Sequence, residues 1–119
     1  MEPRYGRALI ADDDPVTRQL VYDTLAEAGM EVFTAIDGRQ ALDTFLAHGP
    51  FELLVVDIIM PGMNGTQVVD LIARSSPDAR VLYVSARDNV PVLGPGRRFL
   101  HKPFTPEQLL EHARALLGS

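Results

Sequence analysis

No cysteine occurs among the 119 residues, which excludes a disulfide framework and any thiolate metal site. Long apolar runs are missing too: none approaches the ~20 residues that a bilayer crossing needs, and the amino terminus lacks the charged-then-apolar pattern of a signal peptide. Positive charge is scarce. Eleven basic residues stand against sixteen acidic ones, a net charge of −5, and adjacent pairs such as Arg97-Arg98 form no extended stripe that could follow a phosphate backbone. Direct nucleic-acid binding and membrane insertion are therefore not expected, and a cytoplasmic protein is. The length suits one domain spanning residues 1–119, and neither an internal repeat nor a low-complexity segment divides it.

What the chain does have is an alternation of short strand-like runs with stretches of helical period. Strands are predicted over Arg7–Ala11, Glu31–Ala35, Leu53–Asp57, Arg80–Val84 and Arg98–Leu100. Leu53 to Val56 and Val81 to Val84 are apolar at nearly every position, as suits central parallel strands covered on both faces. Asp14 is placed to cap a first helix that has Pro15 in its first turn and Gly29 at its end, with Val16, Leu20, Leu25 and Ala28 as its inward stripe. Ala41, Leu42, Phe45 and Leu46 supply the stripe of a second helix, and Val68, Val69 and Ile72 that of a third. In the last helix Thr105-Pro106-Glu107-Gln108 reads as a capping box, followed by Leu109, Leu110, Ala113, Leu116 and Leu117 at helical spacing. Repeated βα units imply an α/β fold with a doubly wound parallel sheet.

Three of the apolar runs end in chemistry. The first leads into Asp12-Asp13-Asp14, the third into Asp57 and the fourth into Ser85. In a parallel sheet the carboxyl ends of the strands share one edge, so these groups converge. Carboxylates held a few ångströms apart repel by about 3 kcal/mol per pair at an effective dielectric of 20, and a hard divalent cation such as Mg²⁺ or Mn²⁺ relieves that repulsion. Asp12, Asp13 and Asp57 offer the oxygen ligands. A carboxylate can also take a phosphoryl group when its oxygens are neutralised. Asp57 is the better nucleophile because it stands alone at the end of a buried strand, with Ser85 and Lys102 available as donors to phosphoryl oxygens. Taken singly each feature has a plainer reading: a polar loop, a turn residue, a strand end, a solvated lysine. His48, His101 and His112 share no metal-ligand spacing and read as surface or helix-end residues.

Asp12-Asp13, Asp57 with Ile58-Ile59-Met60-Pro61-Gly62 and Asn64-Gly65, Ser85-Ala86 and Lys102-Pro103-Phe104 together resemble the receiver domain of two-component response regulators, from about Leu9 to Leu117. The resemblance implies a flavodoxin-like, five-stranded sheet of order 2-1-3-4-5. It implies a phosphoacceptor Asp57 charged by a histidine kinase or a histidine phosphotransfer protein, and a metal held by Asp12, Asp13, Asp57 and the backbone carbonyl of Ile59. It also implies a switch through Ser85 and Phe99 and a cis Lys102–Pro103 bond. Ile59 and Arg87, beside the chemistry, are expected to tune hydrolysis of the acyl phosphate. One departure stands out: the segment between Ser85 and Lys102 is shorter than is usual in receivers, and Asp88 to Gly96 carries Pro91, Gly94, Pro95 and Gly96, so the fourth helix is expected to be short or missing. That shortening, with the Lys-Pro-Phe-Thr-Pro run after it, is similar to receivers at the carboxyl terminus of hybrid histidine kinases, and a free-standing regulator fits equally. The oligomeric state is left open. Two other functions stay in view: a haloacid-dehalogenase-type phosphatase using Asp12 in an Asp-x-Asp-x-Val motif, and a degenerate interaction module that is not phosphorylated.

Overall fold

A computed structural model of the chain describes residues 6–88 and 90–118. Strands β1 (Arg7–Ala11), β2 (Glu31–Ala35), β3 (Leu53–Asp57), β4 (Arg80–Ser85) and β5 (Arg97–His101) form one parallel sheet in the order β2-β1-β3-β4-β5. Helices α1 (Pro15–Glu27), α2 (Gly38–His48), α3 (Gly65–Ser75) and α4 (Pro106–Leu117) connect or follow them. Two strands run slightly past their predicted ends: Ser85 joins β4, and Arg97 and His101 join β5 through the Ser85–His101 and Val81–Arg97 register pairs.

The period-2 alternation of each strand builds two cores. Leu9, Ala11, Leu54, Val56, Val81 and Tyr83 face one side of the sheet, where Ala41 of α2 and Val68, Val69 and Ile72 of α3 cover them. Ala8, Ile10, Leu53, Val55, Leu82 and Val84 face the other, against Val21 and Leu25 of α1 and Leu109, Ala113 and Leu116 of α4. The sheet is thus covered on both faces, and β3 is buried along its whole length.

Local signals set the helix starts. The Asp14 side chain accepts from Val16 N, Asn64 and Thr105 each form a full capping box, and Gly29 and Gly118 take the positive φ that ends α1 and α4. Two inward stripes need correction. In α1 the buried residues are Val21, Thr24 and Leu25, while Val16 is exposed, because the helix presents its second and third turns to the sheet. In α2, Leu46 is 80% exposed and Phe45, not Leu46, packs on the core.

No helix connects β4 to β5 among the described residues; those between Ala86 and Gly96 run without regular structure, as the prolines and glycines there dictate. The α2–α3 side of the sheet is therefore one helix short beside β4. Tyr83, the largest fully buried side chain, fills that region, and Arg97 donates to its hydroxyl at 3.3 Å. Across from it in register, Phe99 is half-buried and packs on the same cluster.

Candidate phosphoacceptor site

Each candidate group sits where a strand stops. Asp12 follows β1, Asp57 closes β3, Ser85 closes β4 and Lys102 follows β5. Because β1 and β3 are neighbours while α1 and α3 cover opposite faces, their carboxyl ends open the crevice in which α/β sheets place their ligands. Lys102 N–H donates to Ser85 O at 2.8 Å, which holds the lysine beside the end of β4.

The Lys102 ammonium lies 2.9 Å from Asp57 Oδ2 and 3.0 Å from Asp12 Oδ2. The remaining carboxylate oxygens are partly spent within the backbone: Asp12 Oδ1 accepts from Asp14 N at 2.9 Å and Asp57 Oδ1 from Ile59 N at 3.0 Å. Asp12 Oδ2 is buried and, despite its charge contact with the lysine, accepts no hydrogen bond of good geometry. Asp13 is exposed, yet one oxygen from each of Asp12, Asp13 and Asp57 can be chosen so that all three lie within 4.8 Å. An orphaned buried oxygen in an all-carboxylate cluster suits a hard divalent cation.

Burial pushes the Asp12 carboxyl up to about 6, against the lowering effect of the Asp14 N–H and Lys102, and the Asp57 charge adds to the rise. Burial by itself would lower the Lys102 pKa, but hydrogen bonds to Asp57 and Asp12 and their charges outweigh it, so the ammonium is held above its ordinary range. Ser85 is fully buried, and its Oγ accepts from Arg87 N at 3.0 Å. The Ile59 carbonyl accepts no hydrogen bond among the described residues, and the residue is 42% exposed at the rim. The Lys102–Pro103 bond is cis.

Sequence reasoning missed two supports. A Cβ at Gly65 would stand 2.3 Å from Asp57 O, so only glycine lets α3 begin against the back of the nucleophile candidate. Arg18 Nη1 donates to Asp12 O at 2.8 Å, a contact across the start of α1 that no local sequence pattern announces. His112, read as a surface residue, is instead half-buried, with its Nδ1 accepting from Arg98 Nε at 2.8 Å. A groove of about 900 Å³ around Arg7, Glu31, Phe51 and Ala79 lies at the opposite edge of the sheet and takes no part in this chemistry.

The family model described as the response regulator receiver domain matches residues 8–114. The chain belongs to that family. It is 35% identical over 116 residues to response regulator MprA of Mycolicibacterium vanbaalenii, covering 93% of this chain and 50% of the relative. The receiver thus spans about half the length of such curated relatives. Among solved structures it superposes on the chemotaxis response regulator CheY4 of Vibrio cholerae with a TM-score of 0.80 at 31% identity, covering 93% of this chain and 98% of the other. The response regulator TrrA of Thermotoga maritima, solved in complex with Mg²⁺ and BeF, gives a TM-score of 0.81 at 30% identity, with 98% and 99% covered. As a receiver it is a phosphoacceptor module of two-component signalling, which disfavours both the phosphatase and the non-phosphorylated readings. Among the described residues no helix is long and apolar enough to cross a membrane.

Proposed function

We propose that residues 1–119 form one receiver module in which Asp57 is the phosphoacceptor. The observation that carries this reading is the arrangement of Lys102 between Asp57 and Asp12 at the rim of a three-carboxylate cluster. Asp12, Asp13 and Asp57 would hold Mg²⁺, with the Ile59 carbonyl as a further ligand, and the charge neutralisation such a cation supplies would act on the phosphoryl oxygens. An oxygen of the Asp57 carboxylate attacks the phosphorus of a phosphohistidine on a histidine kinase or phosphotransfer protein. The O–P bond forms as the N–P bond breaks, and the electron pair leaves on the donor's imidazole nitrogen, which takes a proton. Lys102 and the Ser85 hydroxyl donate to the phosphoryl oxygens as charge moves.

Binding of Lys102 and Ser85 to the new phosphoryl group draws on the ends of β4 and β5. Phe99, half-buried in register with Tyr83, is the side chain placed to change packing as Ser85 moves. Ile59 and Arg87, exposed beside the site, set the access of water to the acyl phosphate and hence its lifetime. Intact-protein mass after incubation with acetyl phosphate tests the assignment: one Mg²⁺-dependent adduct of a phosphoryl group, absent in Asp57→Asn, is expected. An adduct kept in that variant and lost in Asp12→Asn would transfer the role to Asp12.

A further inference from the structure

We propose that Arg18 is a positioning residue of the cation site: by holding the Asp12 carbonyl it fixes the Asp12–Asp13 peptide plane, and so directs the Asp13 carboxylate toward Asp12 and Asp57. The inference rests on the reading that these three carboxylates bind a divalent cation.

Three observations support it. First, Asp12 falls in the gap between β1, which ends at Ala11, and α1, which begins at Pro15, so its carbonyl belongs to neither ladder. The residue is 1% exposed, and a buried carbonyl needs a partner. Its N–H goes to Ala35 O at 3.1 Å and its Oδ1 to Asp14 N, leaving Arg18 Nη1 at 2.8 Å as the partner of the carbonyl. Second, the Asp13 carboxylate accepts no hydrogen bond among the described residues, yet has an oxygen within 4.8 Å of its counterparts on Asp12 and Asp57. With no side-chain tether, what holds it near them is the placement of its own backbone, which begins at the peptide unit shared with Asp12, a unit that is planar and turns as one body. Third, Arg18 has no carboxylate within ion-pair distance among the described residues. Its side chain leans back toward the start of α1, as helical side chains do, and its guanidinium is spent on one carbonyl.

Electrostatics alone makes the opposite prediction. A guanidinium close to a divalent cation repels it, so a purely electrostatic Arg18 would weaken binding and its removal would strengthen it. A positioning role reverses the sign.

The test is calorimetric titration with Mg²⁺ alone of the natural chain, Arg18→Met, Arg18→Lys and, as a control on an exposed arginine of α2, Arg39→Ala. Arg18→Met keeps the aliphatic stem but cannot donate, and is expected to bind Mg²⁺ about tenfold more weakly, the scale on which groups that orient metal ligands act. Arg18→Lys should recover part of the loss and Arg39→Ala should match the natural chain, with Mg²⁺-free thermal unfolding of each variant recorded alongside. Should Arg18→Met not fold, Arg18→Gln, whose shorter side chain stops before the carbonyl, carries the same expectation. Unchanged or tighter Mg²⁺ binding in a folded Arg18→Met or Arg18→Gln would overturn the inference. Absence of Mg²⁺ binding by the natural chain would instead overturn the site reading on which it rests.

Discussion

Lys102 and Asp57 are 45 positions apart in the sequence and 2.9 Å apart in space. With Asp12 on the lysine's other side, one ammonium serves as countercharge to two buried carboxylates. Lys102→Met leaves both without it. Breaking a buried pair from one side costs about 3 kcal/mol or more, so the variant should lose stability on that scale at pH 8 in the absence of metal. The loss should shrink at pH 5, where Asp12 takes up a proton. Urea unfolding at the two pH values measures both.

Asp12 itself sets a pH slope. Its carboxyl titrates near 6 in the folded chain against an ordinary value of 3.8, chiefly through burial. Between those values the folded state binds more protons than the unfolded chain, so this group's contribution falls as pH rises from about 4 to 6 and stays low above. Asp12→Asn should therefore unfold at a higher temperature than the natural chain at pH 8 without metal. Millimolar Mg²⁺ should raise the melting temperature of the natural chain, because the cation binds only the folded cluster, and should do little for Asp12→Asn.

His112 gives a slope of the opposite sign. Burial lowers its pKa and the neighbouring Arg98 lowers it further, against a small upward pull from Glu111. The neutral ring that accepts from Arg98 is the favoured folded form, so this contribution is complete above about 6.5 and is lost as pH falls through the depressed folded value. A loss of thermal stability from pH 7 to 5 that is smaller in His112→Gln than in the natural chain is the expected outcome.

Gly65 has no freedom to vary. A methyl group there would meet the Asp57 carbonyl at 2.3 Å and Val56 Cγ1 at 2.8 Å, and backbone cannot yield as a flexible side chain does. Gly65→Ala should cost about 1–3 kcal/mol, the usual range for overpacking, and should slow phosphorylation because relief of the clash moves Asp57. Denaturant unfolding and the rate of adduct formation from acetyl phosphate report the two effects.

Much of this was legible in the sequence because the signals are local or additive. Strand β3 reads as buried from its unbroken apolar run, the caps at Asp14 and Thr105 from hydroxyl or carboxylate followed by helix formers, and the lack of a helix between β4 and β5 among the described residues from Pro91, Gly94, Pro95 and Gly96. The converging site followed from one rule of parallel sheets applied to Asp12, Asp57, Ser85 and Lys102. Illegible were the facts that depend on how far one element approaches another. Helical period alone could not say that Val16 and Leu46 point to solvent, because both sit at the margin of their stripe. Nor does sequence reveal that Arg18 turns back to the Asp12 carbonyl, or that Arg98 reaches across fourteen positions to His112.

The central claim is that Asp57 accepts a phosphoryl group in a cation-dependent way. The direct measurement is the intact mass of the natural chain and of Asp57→Asn after acetyl phosphate treatment, with Mg²⁺ and with the metal chelated. A single phosphoryl adduct on the natural chain that requires Mg²⁺ and is absent from Asp57→Asn is the predicted result. The same adduct on Asp57→Asn, or none on the natural chain with Mg²⁺ present, would contradict it.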